Sequence, residues 1–366
     1  MGTLIPIQNY VSVYYNVLLV LTVFFAIYAS MSTLETKSSL RPGSAFGFVF
    51  LVYVLLFMGL RPISYRFGDM LIYNIQFQNL KNGFGMTFKK DVVFEYFMYF
   101  MSRIGDVYLF FFTCCVLYVL PLYAFSKKIF QEYWAFAFVM LMISFSFWSY
   151  GTNGIRNGIA TSIFLYGCSR SNRFLAIFIV ILSMYIHKSL IIPVAAYFIV
   201  MMYNNPKAYF YFWLACIPLS LLLGGFFTNL FLSLGIVEQD RVTVYLDDFN
   251  QASEGVKLKV GFRWDFLLYS AVGVFVGWYF VFKKKFEDKF YHRILSMYLI
   301  ANAFWVIVIK ANYSNRFAYL SWFMLGIVII YPFLKVKYFT NQNRIIAAVC
   351  IAYFTFTYLL EIVLIS

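Results

Sequence analysis

Acidic side chains are scarce in this sequence, and histidine is almost missing. Fifteen Asp and Glu and two His stand among 366 residues, against 29 Lys and Arg, and only 12% of the chain is charged. Zinc enzymes place His, Cys or acidic ligands at fixed spacing, and here neither HExxH nor CxxC occurs. A metal site, a disulfide frame and a cofactor are therefore not expected. The five cysteines (Cys114, Cys115, Cys168, Cys216, Cys350) all fall in apolar stretches and read as packing residues. No linker, low-complexity tract or internal repeat stands out, so a single integral membrane domain over residues 1–366 is expected.

What the chain has is apolar surface. Hydrophobic residues make up 63% of it, aromatic ones 23%, and mean hydropathy is +0.78. A soluble domain of this length could not hide so much. Apolar runs of about 15–22 residues recur along the chain, as membrane helices require. The first run lacks the basic flank and small-residue cleavage site of a signal peptide, so it reads as a membrane helix. The expected fold is an all-α polytopic membrane protein with about twelve spans. They lie near 10–30, 44–60, 106–125, 134–150, 154–169, 174–188, 189–203, 209–226, 264–282, 294–310, 316–334 and 345–364.

Net charge is +14. In a membrane protein this points to anionic lipid or a phosphate-bearing lipid substrate, and no nucleic-acid partner is expected. The basic residues also orient the chain. Alternate connections carry Lys127-Lys128, Arg170/Arg173, Lys207, Lys283-Lys284-Lys285 and Lys335/Lys337/Arg344. With their neighbours these hold 15 basic against four acidic residues. That face is read as cytoplasmic, which puts both termini outside. Two long outer loops follow, about 61–105 and 227–263.

Arginine is not needed on the outer face, yet Arg61, Arg66, Arg103, Arg156, Arg241, Arg263 and Arg316 fall there. Lipid-headgroup contacts or loop ion pairs account for part of this set. The remainder suits a phosphate site, because guanidinium binds phosphate bidentately and stays charged in a semi-dry cavity. The stretch Gly151–Pro193 carries the clearest case. Its glycine-rich corner, with Asn153 and Arg156, opens one helix, and His187 closes the next. A helix N-terminus with arginine in its first turn attracts anions. In loop 61–105, helices over 69–80 and 91–103 are expected. The first would place Asp69, Tyr73, Gln76 and Leu80 on one face. The second would place Asp91, Glu95 and Ser102 on a stripe of an amphipathic element at the membrane interface. Glu95, in aromatic surroundings, is a candidate general base. Tyr313 and Arg316 repeat the theme at a later helix start, and Arg241 and Tyr245 are candidate glycan contacts.

These residues, in this order, resemble the EpsG family of Wzy-type bacterial polysaccharide polymerases. The likeness rests on Arg61, on Arg66-Phe67-Gly68-Asp69 with Tyr73, and on Glu95-Tyr96-Phe97. It continues in Arg156 ahead of His187 and in Arg316-Phe317-Ala318-Tyr319. Met70, Asn157 and the lack of a Pro after Glu95 depart from the family pattern. The resemblance implies a metal-independent, GT-C-like helical bundle in the bacterial inner membrane. Such an enzyme transfers glycan from undecaprenyl pyrophosphate to another lipid-linked repeat unit. Its expected partners are those two lipid-linked oligosaccharides, membrane lipid, a flippase and a chain-length regulator.

On this reading Arg156 and Arg316, with Arg61 or Arg66, neutralise pyrophosphate. Asp69 or Glu95, ahead of His187, takes the acceptor's proton. Tyr73, Asn153, Arg241, Tyr245 and Tyr313 contact glycan. Two rivals stand: an O-antigen-ligase-type transferase using the same donor, and a transporter or flippase for lipid-linked sugar. A membrane acyltransferase is a third, supported by His187 alone.

Overall fold

A computed structural model describes residues 5–32, 37–85, 91–233, 262–311 and 314–364. Every regular element among them is helical. Among the described residues seven stretches are long and apolar enough to cross a membrane: Ile7–Met31, Pro42–Gly59, Val107–Met142, Pro206–Phe227, Trp264–Lys283, Asn315–Lys335 and Gln342–Ile362. Arg173–Ile186 and Lys188–Met202 are shorter apolar helices. The chain is thus a polytopic helical membrane protein. Two compact units divide it, one reaching to Val194 and resuming at Ile330, the other covering Ala195–Ile329.

The first unit begins with α1 (Tyr10–Met31) and α2 (Lys37–Gly59). Two short helices follow, α3 (Met70–Lys81) and α4 (Val92–Ile104). Their apolar residues recur every three or four positions, so each buries one stripe. On α3 that stripe is Met70, Tyr73, Phe77 and Leu80; Gln76, expected on the same face, points outward. On α4 it is Phe94, Met98, Met101 and Ser102.

Next come α5 (Val107–Phe130), α6 (Trp134–Met142) and α7 (Phe145–Thr152). Asp106 caps α5 by accepting the Leu109 N–H at 2.8 Å. Although Val107–Met142 is almost continuously helical, the chain reverses at Gln131, whose φ is 50°. Tyr123 therefore meets Trp134 with ring centres 5.0 Å apart, where a straight helix would separate them by about 16 Å. Helices α8 (Ile155–Cys168) and α9 (Arg173–Ile186) complete the wall. α8 packs against both α5 and α9, and α1 packs along α16 (Gln342–Tyr358).

The α7–α8 corner depends on a missing side chain. A Cβ on Gly158 would lie 2.5 Å from the Tyr150 carbonyl oxygen, so only glycine lets α8 turn back this closely on α7.

The second unit takes in α10 (Ile191–Met202) from Ala195 onward, α11 (Pro206–Ser233), α12 (Trp264–Trp278), α13 (Lys289–Ile307), α14 (Asn315–Trp322) and the start of α15 (Leu325–Lys335). A saturated polar knot holds its centre. Asn302 accepts from Trp213 Nε1 at 2.7 Å and donates to Ser270 and Ser321 at 3.0 and 2.8 Å. Trp322 Nε1 donates to the same Ser270 hydroxyl at 2.7 Å. Four helices, α11 to α14, are thereby keyed to one another in an apolar interior.

Candidate active site

The centre of the first unit's candidate site is a residue that the sequence places on a helical stripe without marking it as functional. Asp91 precedes α4 and continues its buried stripe at the spacing 91, 94, 98, 101. It is only 2% exposed, yet it is ionised and fully engaged. Its Oδ2 accepts from Arg156 Nη1 at 2.5 Å and from His187 Nδ1 at 2.9 Å. Its Oδ1 accepts the Lys188 backbone N–H at 3.1 Å. Burial alone would raise the Asp91 pKa. The hydrogen bond and charge of His187, the Arg156 charge and the Lys188 N–H outweigh it and hold the carboxyl below its ordinary value.

One carboxylate thus ties together the start of α4, the first turn of α8 and the end of α9. Arg156 is further fixed by donating from Nε to the Tyr73 hydroxyl at 3.1 Å, with its guanidinium 5.6 Å over that ring. The Asp69 carboxylate also acts on it electrostatically. Nη2 donates to no group among the described residues, and the side chain is 20% exposed. One end of the guanidinium is therefore oriented but uncommitted. His187 has the same character: Nδ1 faces Asp91, whereas Nε2 makes no hydrogen bond among the described residues. Beside them Ser189 donates to Asn157 at 2.6 Å, adding a hydroxyl and an amide to the rim.

The corner is braced from beneath. Arg61 is 1% exposed, and its two Nη atoms donate to Met58 O at 2.6 Å and Thr152 O at 3.3 Å, the last turns of α2 and α7. Cations belong at helix C-termini, and here one guanidinium serves two of them. Phe67 and Phe111 flank it, with its centre 5.9 and 5.5 Å from their rings. Burial lowers its pKa to about 10, which leaves it charged at neutral pH. Above it Asp69 N–H donates to Asn153 Oδ1 at 3.0 Å. Gly68, at φ 62°, allows that contact, since a Cβ there would sit 2.2 Å from the same oxygen.

The structure thus gathers Tyr73, Arg156 and His187 around Asp91, with Asp69 and Asn153 alongside. Glu95 lies one turn beyond Asp91 and is half-buried. Arg66 is exposed on the loop before Gly68. Arg316, in the second unit, is exposed in the first turn of α14. Arg241, Tyr245 and Tyr313 lie outside the described residues. Among the described residues no group of three His, Cys, Asp or Glu side chains could hold a metal ion. The signal that marked Asp91 was its register. It falls on the apolar stripe of α4, whereas the preceding Lys89-Lys90 make it resemble part of a solvated charge run.

A membrane-embedded helical scaffold with a self-paired carboxylate, imidazole and guanidinium defines the class. The chain belongs to the EpsG family, whose family model matches residues 46–366. Membership points to a membrane protein of polysaccharide-polymerase type, acting on lipid-linked saccharide. Neither a curated protein nor a solved structure matches the chain.

Proposed function

We propose that this protein polymerises polysaccharide by moving a growing glycan from undecaprenyl pyrophosphate to the sugar of another lipid-linked repeat unit. The reaction is placed at the outer leaflet of a bacterial inner membrane. In this reading the chain crosses twelve times in a GT-C-like bundle, with both termini outside. α6–α7, α8, α9, α10 and their longer neighbours each count as crossings.

One observation carries the proposal: Arg156 is aimed by Asp91 and Tyr73 while its Nη2 end stays uncommitted. When the C1–O bond breaks, charge builds on the departing pyrophosphate. A fixed guanidinium in a water-poor site stabilises it without reorganising. No metal is needed for that step. Arg66 is the proposed second guanidinium, and Arg316 is proposed to bind phosphate in its own right. Tyr73 and Asn153 face the glycan. Direct displacement at C1 would invert the anomeric centre, and linkage analysis showing retention would end that part of the reading.

The test uses purified full-length protein in lipid discs, supplied with lipid-linked repeats. Polymer together with released undecaprenyl pyrophosphate is the expected result. Transfer of a single chain to a second acceptor would favour a ligase. Translocation without bond cleavage would favour a transporter.

A further inference from the structure

We infer that Asp91 and His187 form the acid–base pair of this site, with His187 Nε2 as the atom that takes the acceptor's proton. The inference rests on the glycan-transfer reading above and names the base within it.

The geometry distinguishes His187 from the three carboxylates around it. Asp91 is 2% exposed and its two oxygens already accept from three donors, so substrate does not reach it. A carboxylate held below its ordinary pKa is also a weak base. Its hydrogen bond to Nδ1 does something else: it fixes the proton on Nδ1 and leaves the Nε2 lone pair as the imidazole's only acceptor. His187 is 20% exposed, so that lone pair can be reached. Glu95 lies one turn past Asp91 on α4, half-buried and off the stripe that carries Asp91 toward Arg156 and His187. Asp69 is tied to the α7–α8 corner by its backbone N–H, and its charge acts on Arg156, the leaving-group side of the site.

The groups that face His187 are Asp91 from α4 and Arg156 from α8. Tyr73 from α3 and Asp69 act on Arg156 in turn, and Lys188 is the sequence neighbour. Arg156 already offsets one charge of Asp91, so the pair is close to neutral before reaction. Proton transfer makes the imidazole cationic while the Asp91 carboxylate stabilises it. The balance closes as follows. The acceptor O–H proton goes to His187 Nε2, and the oxygen forms its bond to C1. The C1–O(phosphate) electron pair leaves with undecaprenyl pyrophosphate beside Arg156. The proton passes from Nε2 to solvent after the product departs.

The decisive measurement is the pH profile of polymer formation by protein in lipid discs. His187→Asn, whose amide nitrogen takes the place of Nδ1, keeps a donor toward Asp91 but cannot accept a proton. It should fold, bind donor with wild-type KM, and lose about a hundredfold or more in kcat together with the acid limb of the profile. Asp91→Asn removes the charge that favours imidazolium, so its acid limb should move down by about one to two pH units. If His187→Asn elongates at the wild-type rate, or Asp91→Asn leaves the acid limb in place, the base assignment falls while the polymerase reading stands. If the wild type itself makes no polymer, the polymerase reading falls and takes the assignment with it.

Discussion

Arg61 and Thr152 stand 91 positions apart, yet a guanidinium sealed from solvent hydrogen-bonds the last carbonyl of α7. Sequence reading had placed Arg61 among the pyrophosphate ligands. In the fold both its Nη atoms serve backbone, and its place is under the corner that carries Arg156.

Arg61→Leu strands two carbonyls, those of Met58 and Thr152, in an apolar setting. A loss of about 2–4 kcal/mol is expected. It should read as a markedly lower melting temperature of the purified protein. Arg61→Lys reaches one carbonyl at best and should recover less than half of that loss.

Gly68→Ala is a milder probe of the same corner. Alanine at φ 62° and ψ −122° costs about 1–3 kcal/mol, and its Cβ drives Asn153 off the Asp69 N–H. The protein should still fold, with activity down about tenfold or more. Wild-type glycan ladders from this variant would show that the Asp69–Asn153 clamp does not matter to function.

Arg156→Ala should leave a membrane-inserted protein that yields only single capped repeats in cells. Arg156→Lys should also fail largely, since a point charge cannot keep Tyr73, Asp91 and phosphate at once. Near-normal ladders from Arg156→Ala would remove Arg156 from the mechanism.

Acid should loosen the hub. Because the Asp91 pKa is lowered in the fold, its contribution to stability is fully present above the ordinary carboxylate pKa. That contribution fades as pH falls through the lower, folded value. Melting temperature of the wild type should drop more steeply below about pH 4 than that of Asp91→Asn. Parallel curves would mean that the pairing adds nothing to the fold.

The second unit offers a control away from this chemistry. Asn302→Ala orphans the Trp213 indole N–H and unlinks Ser270 from Ser321. The expected cost is about 2–4 kcal/mol in melting stability. Donor KM in the surviving protein should be unchanged.

Class and corner were legible because apolar runs, glycine and arginine are local signals. The run lengths gave a polytopic membrane chain, and 69–80 and 91–103 foretold α3 and α4 within a residue. Tyr73, Arg156 and His187 were singled out from residue type and place alone. Asp91 was not, since its meaning comes from partners 65 and 96 positions away. Glu95 looked better placed by composition, yet one step of register separates it from the buried stripe. The reversal at Gln131 was legible as the basic Lys127-Lys128 connection, whereas the continuity of its helices was not.

The lengths of α8 and α9 have a consequence for depth. Each has fourteen residues, and so rises only about 21 Å. An apolar layer of about 30 Å is some 9 Å thicker. Arg170 and Arg173, in the connection between the two helices, hold that end among headgroups. On the proposed topology the opposite end, with Asp91, Arg156 and His187, would lie about 9 Å below the other surface. In the proposed reaction a lipid-borne reactant would reach that depth sideways, its tail staying in the membrane. There the pairing of Asp91 with Arg156 would spare the site an isolated charge where water is sparse.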